Sequence, residues 1–281
     1  MPGRSADTTA GRLWTPKETV TVTARPQQPR TTADLRRRVR RPTRVVTVAL
    51  TAVLLSSTGL PAAESASTTQ SVGPPGIDVA SWQHPLGAPI DWAAVAGSDA
   101  KFAIIKATQG TGYTNPYYAS DWSGALAHGL IVGAYDYADL AHSPLGEARH
   151  FLQVTGVRAF GSDTLAPVLD LEQSAGRSPA QVSAWALAWL RAVQRATGRT
   201  PIFYSNRDFI TRRMSPDPAL ARYPLWFASY AGAVPQHGPA PWSDWTFWQY
   251  TRTARTPGID SLVDRSQLCG DEGTLRRLGL T

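Results

Sequence analysis

Two carboxylates stand close together in the segment PVLDLE at 167–172. Residues two apart in a strand face the same side, so Asp170 and Glu172 project together with backbones roughly 6–7 Å apart. Two such acids in a partly dry cleft cannot both ionise freely, and the one that keeps its proton can act as a general acid. Glu172 has the longer side chain and lies nearer the open end, which favours it as the donor, while Asp170 suits a charged, orienting role. The alternative is a structural pair neutralised by an arginine such as Arg177.

Three further acids occur in or beside apolar, strand-like runs. Asp78 lies in the first of these runs, Asp136 ends the third, and Asp264 lies in a late apolar segment. If the strands are parallel, their carboxyl ends meet at one mouth, where barrel enzymes build their active sites. Each acid alone could be a turn or cap residue. Together they predict that acids from several strand ends converge on one cleft.

Aromatic residues recur in or beside the same strand-like runs. Aromatic rings stack on the apolar faces of sugars, and the neighbouring polar groups bind the sugar hydroxyls. Carboxylates and aromatics together therefore favour a carbohydrate ligand over an anionic one. Ordinary core packing is the alternative, and it is expected for Trp185 and Trp189. The aromatic residues predicted to bind substrate are Trp82, Tyr135, Tyr137, Trp226 and Tyr230.

The order of elements predicts an α/β fold, a TIM-like (β/α) barrel with reduced helices in the last third, forming a single catalytic domain over 76–281. A doubly wound sheet is the main rival. The clearest helix is 179–197, with Ser178 as N-cap, Gln181 completing a capping box and Gly198 after its end. Weaker helices are predicted at 116–128 and 144–154. The predicted strands are 76–81, 102–108, 131–138, 165–172, 201–206, 225–230 and 245–250.

The formal net charge of +7 over 281 residues is unevenly distributed. Residues 1–44 contain 11 Lys/Arg and 3 acidic residues, which leaves 17 basic and 18 acidic residues for the rest of the chain. The folded part is therefore close to neutral, and nucleic acid is not expected as a partner.

The first 65 residues have the pattern of a basic leader and signal peptide. The run RRRVRRPTR at 36–44 precedes the apolar segment 45–55 and a small-residue cleavage region. The pattern predicts secretion to the medium or cell wall, by the Sec or the twin-arginine route, with no stable membrane span after cleavage. Residues 66–75 are predicted to form a flexible linker.

Several kinds of site lack support in the sequence. The chain contains one cysteine, and its five histidines form no i,i+4 pair, so neither a metal nor a cofactor is expected. A G-x-S-x-G elbow and a P-loop are both absent. The carboxylates remain as the groups able to do chemistry.

At this point residues 76–268 resemble the glycoside hydrolase family 25 muramidases, the Chalaropsis-type lysozymes. The resemblance implies an eight-stranded barrel with a reduced set of helices, which acts on peptidoglycan glycan strands. We expect the protein to be a monomer. It implies cleavage of the β-1,4 bond between N-acetylmuramic acid and N-acetylglucosamine. Glu172 matches the proton donor, with Asp170, Asp78 and Asp264 as the other catalytic acids. The matching segments are GIDVASWQ, FAIIKATQGTGYTNPYY, GLIVGAYDYA, PVLDLE, LWFASY, FWQYT and GIDSLVD.

Two positions depart from the family pattern. The typical K-x-T-E-G reads KATQG, which places Gln109 where an acid is usual, and the third strand ends Tyr135-Asp136-Tyr137. We interpret these departures as a compensating exchange of charge within one substrate pocket. Gln109, Asp136 and Gln249 of FWQYT are therefore expected to bind substrate.

Two alternative functions stay open at this stage. One is a chitinase-like glycosidase, although the D-x-x-D-x-D-x-E acid ladder of that class is missing. The other is a non-catalytic protein that binds cell-wall glycan. For a muramidase, the favoured mechanism is substrate-assisted: the acetamido group of muramic acid attacks the anomeric carbon. This mechanism retains the configuration at that carbon.

Overall fold

The computed structural model describes residues 72–157, 160–161 and 164–278. The predicted leader at 1–65 and residues 66–71 of the predicted linker lie outside these ranges. Within them, no helix is both long and apolar enough to cross a lipid bilayer.

Eight strands close into a barrel, as predicted. Each strand pairs with its neighbours in the order β1-β9-β8-β7-β6-β5-β4-β2, and the pairing of β1 with β2 closes the ring. The short β3 extends β2 outside the ring. The strands are β1 (Val72–Val79), β2 (Phe102–Gln109), β3 (Tyr113–Thr114), β4 (Ile131–Tyr137), β5 (Val168–Asp170), β6 (Ile202–Asn206), β7 (Leu225–Ala228), β8 (Phe247–Ala254) and β9 (Val263–Cys269).

One strand departs from an all-parallel barrel. The pairs from β1 through β2, β4, β5, β6 and β7 to β8 are parallel, whereas β9 runs antiparallel to both β8 and β1. The start of β9 therefore lies at the rim where the other seven strands end. The connections on either side of β8 contain no helix, so the predicted loss of helices in the last third is confirmed.

Helices cover the outside of the barrel between the earlier strands. The bounds of α4 agree with the prediction, and its cap forms as expected: the Ser178 side chain accepts from the Gln181 backbone N–H, and Gly198 adopts a left-handed conformation with φ of 70°. The helices are α1 (Trp92–Ala96), α2 (Tyr118–Ala127), α3 (Pro144–Thr155), α4 (Pro179–Thr197), α5 (Arg207–Arg213) and α6 (Glu272–Leu278).

Residues 72–75 belong to β1 and not to a flexible linker. Val72 and Pro75 pair with Cys269 and Gln267 of β9, and an irregularity in register separates the two pairs. The segment contains two prolines and a glycine, which favour loops, but the extended partner strand holds it in the sheet. Strand β5 is shorter than predicted, and β9, α1 and α5 were not predicted.

Alternating side chains divide the core into two layers. One cluster fills the interior of the barrel and includes Phe102, Tyr135, Trp226 and Phe247. The other lies between the strands and the helices, where Trp189 of α4 is fully buried. A strand residue therefore faces either the barrel axis or the helices, and this decides whether it can reach the mouth.

Candidate active site

The predicted acids gather at one rim of the barrel. Asp78 is the second-last residue of β1, and its direct partner across the antiparallel pair is Asp264, the second residue of β9. Asp170 ends β5, and Glu172 follows two residues later. Since β1 and β5 point the same way around the ring, all four acids lie at the same end.

A buried glutamine connects the acids of β1 and β9. Gln249 of β8 donates from Nε2 to Asp78 Oδ2 at 2.9 Å and to Asp264 Oδ2 at 3.4 Å. Its Oε1 accepts from the hydroxyls of Tyr204 at 2.9 Å and Tyr230 at 2.6 Å. The prediction that Gln249 binds substrate is wrong, because its side chain is buried beneath the rim and is 1% exposed. It positions the acids instead.

Burial and mutual repulsion keep protons on this cluster. The pKa of Asp170 is well above its usual range, because the group is buried and faces the charge of Glu172. Burial also raises the pKa of Glu172, although a hydrogen bond from Tyr204 and the charge of Arg252 oppose the rise. Neighbouring carboxyls thus keep their protons to higher pH than isolated acids do, as a general acid requires.

The β1–β9 pair behaves in the same way. Burial and the charge of Asp264 raise the pKa of Asp78 well above its usual range, and the hydrogen bond from Gln249 opposes the rise. Burial and the charge of Glu172 raise the pKa of Asp264 to about 6. The Asp170 atom Oδ1 is buried and accepts no hydrogen bond from any residue that the structure describes.

A lysine that the sequence analysis did not single out lies beside the acids. Lys106 of β2 donates from Nζ to Gln109 Oε1 at 2.8 Å, and its ammonium lies 4.7 Å from the ring centre of Tyr137 and 5.5 Å from that of Tyr113. Burial lowers its pKa, and the charges of Asp170 and Asp136 oppose the change. Gln109 ends β2 at this rim, where substrate binding by its side chain stays a prediction, and the KATQG motif that contains it also supplies the cation.

An open groove of about 410 Å³ begins at Glu172 and extends over the ends of β6, β7 and β8. Tyr230, which is 47% exposed, forms part of its wall. Arg177, the candidate for neutralising the acids, donates instead to the Leu140 carbonyl at 2.8 Å. Glu172 thus faces an accessible cleft, while Asp78 and Asp170 are buried behind it.

Comparisons with known proteins agree with this geometry. A sequence profile described as Glycosyl hydrolases family 25 matches residues 77–259. The chain belongs to glycosyl hydrolase family 25. The resemblance seen in its motifs is thereby confirmed, and the chain is a glycoside hydrolase.

Named relatives of this family 25 hydrolase include lytic enzymes. Lysozyme M1 of Streptomyces globisporus is 31% identical over 214 residues, which cover 73% of this chain and 71% of that protein. The N,O-diacetylmuramidase of a Chalaropsis species is 29% identical over 202 residues, covering 68% and 94%. The crystal structure of the bacterial lysozyme from Streptomyces coelicolor superposes with a TM-score of 0.69 at 30% identity, covering 74% of this chain and 97% of that one.

The prediction that Asp136 binds substrate in the hydrolase is wrong. Asp136 alternates with Tyr135 and Tyr137 along β4, so it faces the helices and is fully buried. It accepts from Trp189 Nε1 at 2.9 Å and is paired with Thr108 Oγ1 at 2.6 Å. The interpretation that Asp136 and Gln109 exchange a charge within one substrate pocket is therefore wrong as well.

Two predicted aromatic contacts also lie away from the cleft surface. Trp226 is 2% exposed inside the barrel, where its indole N–H donates to Ser266 Oγ at 3.0 Å, so the prediction that it stacks on sugar is wrong. Tyr135 is 9% exposed and belongs to the same interior cluster. By contrast, Trp82 follows β1 and is 73% exposed, and Tyr137 accepts a hydrogen bond from Gln173 at the end of β4. For these two residues, substrate binding stays a prediction.

Within residues 72–157, 160–161 and 164–278, no three His, Cys, Asp or Glu side chains are grouped so that they could hold a metal ion.

Proposed function

We propose that this hydrolase is an N-acetylmuramidase, or lysozyme, that cleaves the β-1,4 bond between N-acetylmuramic acid and N-acetylglucosamine in peptidoglycan. The observation that carries the proposal is the position of Glu172. It is half-buried beside Asp170 at the barrel rim and opens onto a groove large enough for a sugar chain. The named lysozyme and muramidase relatives support this choice of substrate.

Glu172 acts first as the general acid. Its raised pKa keeps the proton to higher pH than an ordinary glutamic acid would, and the proton passes to the departing glycosidic oxygen as the bond breaks. After departure of the leaving group, the resulting carboxylate accepts a proton from water. One residue therefore serves both halves of the reaction.

Asp170 orients the acetamido group of the muramic acid. Its buried Oδ1 is suited to accept from the acetamido N–H, which would hold the acetamido oxygen against the anomeric carbon. Attack by that oxygen gives an oxazolinium intermediate, and opening of this ring by water gives net retention. Asp264, with a pKa of about 6, adds negative charge beside the positive centre that develops, and Asp78, which keeps its proton to higher pH, lies directly opposite it in the sheet.

Product analysis tests the bond that is cleaved. Purified sacculi are digested, the products are reduced with borohydride, and the new reducing ends are identified by mass spectrometry. Muramitol ends are expected, whereas glucosaminitol ends would contradict muramidase activity. Proton NMR of the first-formed anomer tests the stereochemistry, since an initial α product would exclude acetamido assistance.

The alternative functions give different results in simple assays. A chitinase-like enzyme would release products from chitin oligosaccharides and leave sacculi intact. A non-catalytic glycan-binding protein would be retained on sacculi in a zymogram without clearing them. We expect clearing of sacculi and no turnover of chitin.

Export is part of the proposal. The basic run at 36–44, the apolar segment 45–55 and the small residues after it support cleavage after Ala63 or Ser65, followed by release as a monomer. Mass spectrometry of the secreted protein gives the new N-terminus, and light scattering gives its mass in solution. Recovery of the intact leader in the cytoplasmic fraction alone would contradict export.

A further inference from the structure

Two arginines line the groove that begins at Glu172. Arg207 is the first residue of α5, directly after the end of β6, and Arg252 lies in β8. Both belong to the wall of the 410 Å³ groove, together with Tyr230. Neither arginine transfers a proton in the proposed reaction; Arg252 lowers the pKa of Glu172, but this effect assigns no role to Arg207.

Each of the two guanidinium groups lies beside an aromatic ring, and within the described residues its charge is not neutralised by an ion pair. The Arg207 guanidinium lies 5.0 Å from the ring centre of Phe227 and donates to the His237 carbonyl at 3.3 Å. The Arg252 guanidinium lies 5.7 Å from the ring centre of Tyr230. Across the described ranges, neither group forms an ion pair with a carboxylate.

The other acid of the groove wall is already occupied. Asp208 accepts from Arg212 Nε at 2.6 Å, on the exposed side of α5. Glu172 keeps a raised pKa although the charge of Arg252 opposes the rise. The groove therefore combines two cations with few competing anions, which suits a ligand that brings carboxylates of its own.

We propose that Arg207 and Arg252 bind carboxylates of the peptide stem attached to the lactyl group of muramic acid. This inference rests on the proposed muramidase function. The stem is attached to the sugar whose glycosidic bond breaks, so every productive complex brings its carboxylates close to Glu172. Arginine suits this ligand because its planar guanidinium can donate two parallel hydrogen bonds to one carboxylate. The enzyme would then favour peptide-substituted glycan over bare glycan.

The experiment compares two forms of one substrate. Soluble glycan strands from sacculi are used as prepared, and after an amidase has removed the stems and the lactyl carboxylates so released have been capped as methylamides. For Arg207→Gln, we expect KM to rise about ten-fold on the peptide-bearing strands, with kcat little changed. On the stripped strands the variant and the wild type should have the same KM. Arg207→Lys should restore part of the affinity, and Arg149→Gln, which removes an exposed charge from α3, serves as control.

The possible outcomes separate this inference from the proposed function. If the wild type cleaves neither substrate, the muramidase proposal fails. If it cleaves both and Arg207→Gln raises KM equally on both, stem recognition is overturned. A third substrate preparation keeps the peptide stems but has its phosphate-containing polymers removed. If Arg207→Gln no longer raises KM on this preparation, the ligand of Arg207 is a phosphate and the assignment to stem carboxylates is overturned.

Discussion

Around Gln249, one amide group sets the positions of two acids and two tyrosines. Its Nε2 reaches Asp78 and Asp264, and its Oε1 accepts from Tyr204 and Tyr230. Three strands and the loop after β7 supply these four side chains, and the buried Gln249 connects them. Positioning of this kind matters because small displacements of catalytic groups reduce rates strongly.

Replacement of this amide tests its positioning role. In Gln249→Leu, Asp78 and Asp264 lose their shared donor, and the pKa of Asp78 should rise further because the hydrogen bond opposes that rise. We expect kcat to fall about 10–100-fold with little change in KM. Steady-state kinetics on soluble glycan strands would measure this, with the exposed Gln153→Leu on α3 as control. A wild-type kcat would contradict the positioning role.

Arg252 allows the pH dependence to be tested. Its positive charge lowers the pKa of Glu172 and of Asp264. In Arg252→Gln both pKa values should rise, so the general acid keeps its proton to higher pH. We expect the basic limb of the kcat/KM profile on stripped glycan to move to higher pH, whereas Arg149→Gln should leave it unchanged. A shift to lower pH would contradict the assignment of Glu172 as the acid.

Single residues differ in how well their positions could be predicted. Alternation along a strand placed Asp170 on a usable face, and the same rule applied to β4 separates Asp136 from Tyr135 and Tyr137. The motif alone predicts that Asp136 binds substrate, whereas alternation along β4 places its side chain on the face opposite to Tyr135 and Tyr137. The depth of Trp226 inside the barrel could not be predicted, because alternation gives the face of a residue but not its distance from the mouth.

Among the elements, α4 was the most predictable. Its apolar positions repeat at spacings of three and four, and its cap residues form local hydrogen bonds that need no distant partner. By contrast, β9 contains the polar residues Asp264, Arg265 and Ser266, and it is a strand because β1 and β8 pair with it on both sides. Pairing between distant segments leaves little local signal.

At the contact between β4 and α4, the buried Asp136 makes the free energy of unfolding depend on pH. Burial raises the pKa of Asp136 to about 7 from a usual value of 3.8. Between these values the folded protein holds a proton that the unfolded chain releases, so the free energy of unfolding falls as pH rises through this window. Glu147 of α3, with a pKa of about 8, should act with the same sign.

Asp136→Asn should remove the loss of stability that Asp136 causes as pH rises. The asparagine oxygen can still accept from Trp189, its amide N–H can donate to the Thr108 hydroxyl, which donates to Asp136 in the wild type, and the asparagine stays neutral at every pH. We expect the variant to be more stable than the wild type by about 2–4 kcal/mol near pH 8, with the difference disappearing near pH 4. Denaturant unfolding at both pH values measures it, with the exposed Asp260→Asn as control. A variant less stable than the wild type near pH 8 would contradict this account.

At the scale of the whole molecule, the antiparallel β9 completes the site. Seven strands bring their carboxyl ends to one rim, which places Asp78, Asp170 and Glu172 together. A parallel β9 would carry Asp264, near its start, to the opposite rim. The barrel and most of its acids could be predicted from parallel strands alone, but the position of Asp264 depends on a strand direction that its sequence does not encode locally.

The turnover of Glu172→Gln tests the central claim most directly. Glutamine keeps the shape of the side chain and has no acidic proton to donate. We predict that the rate of sacculus hydrolysis falls by about 10²–10⁴-fold while co-sedimentation with sacculi is retained. Glu272→Gln on α6 should keep both properties. Hydrolysis by Glu172→Gln at a rate close to that of the wild type would contradict the account.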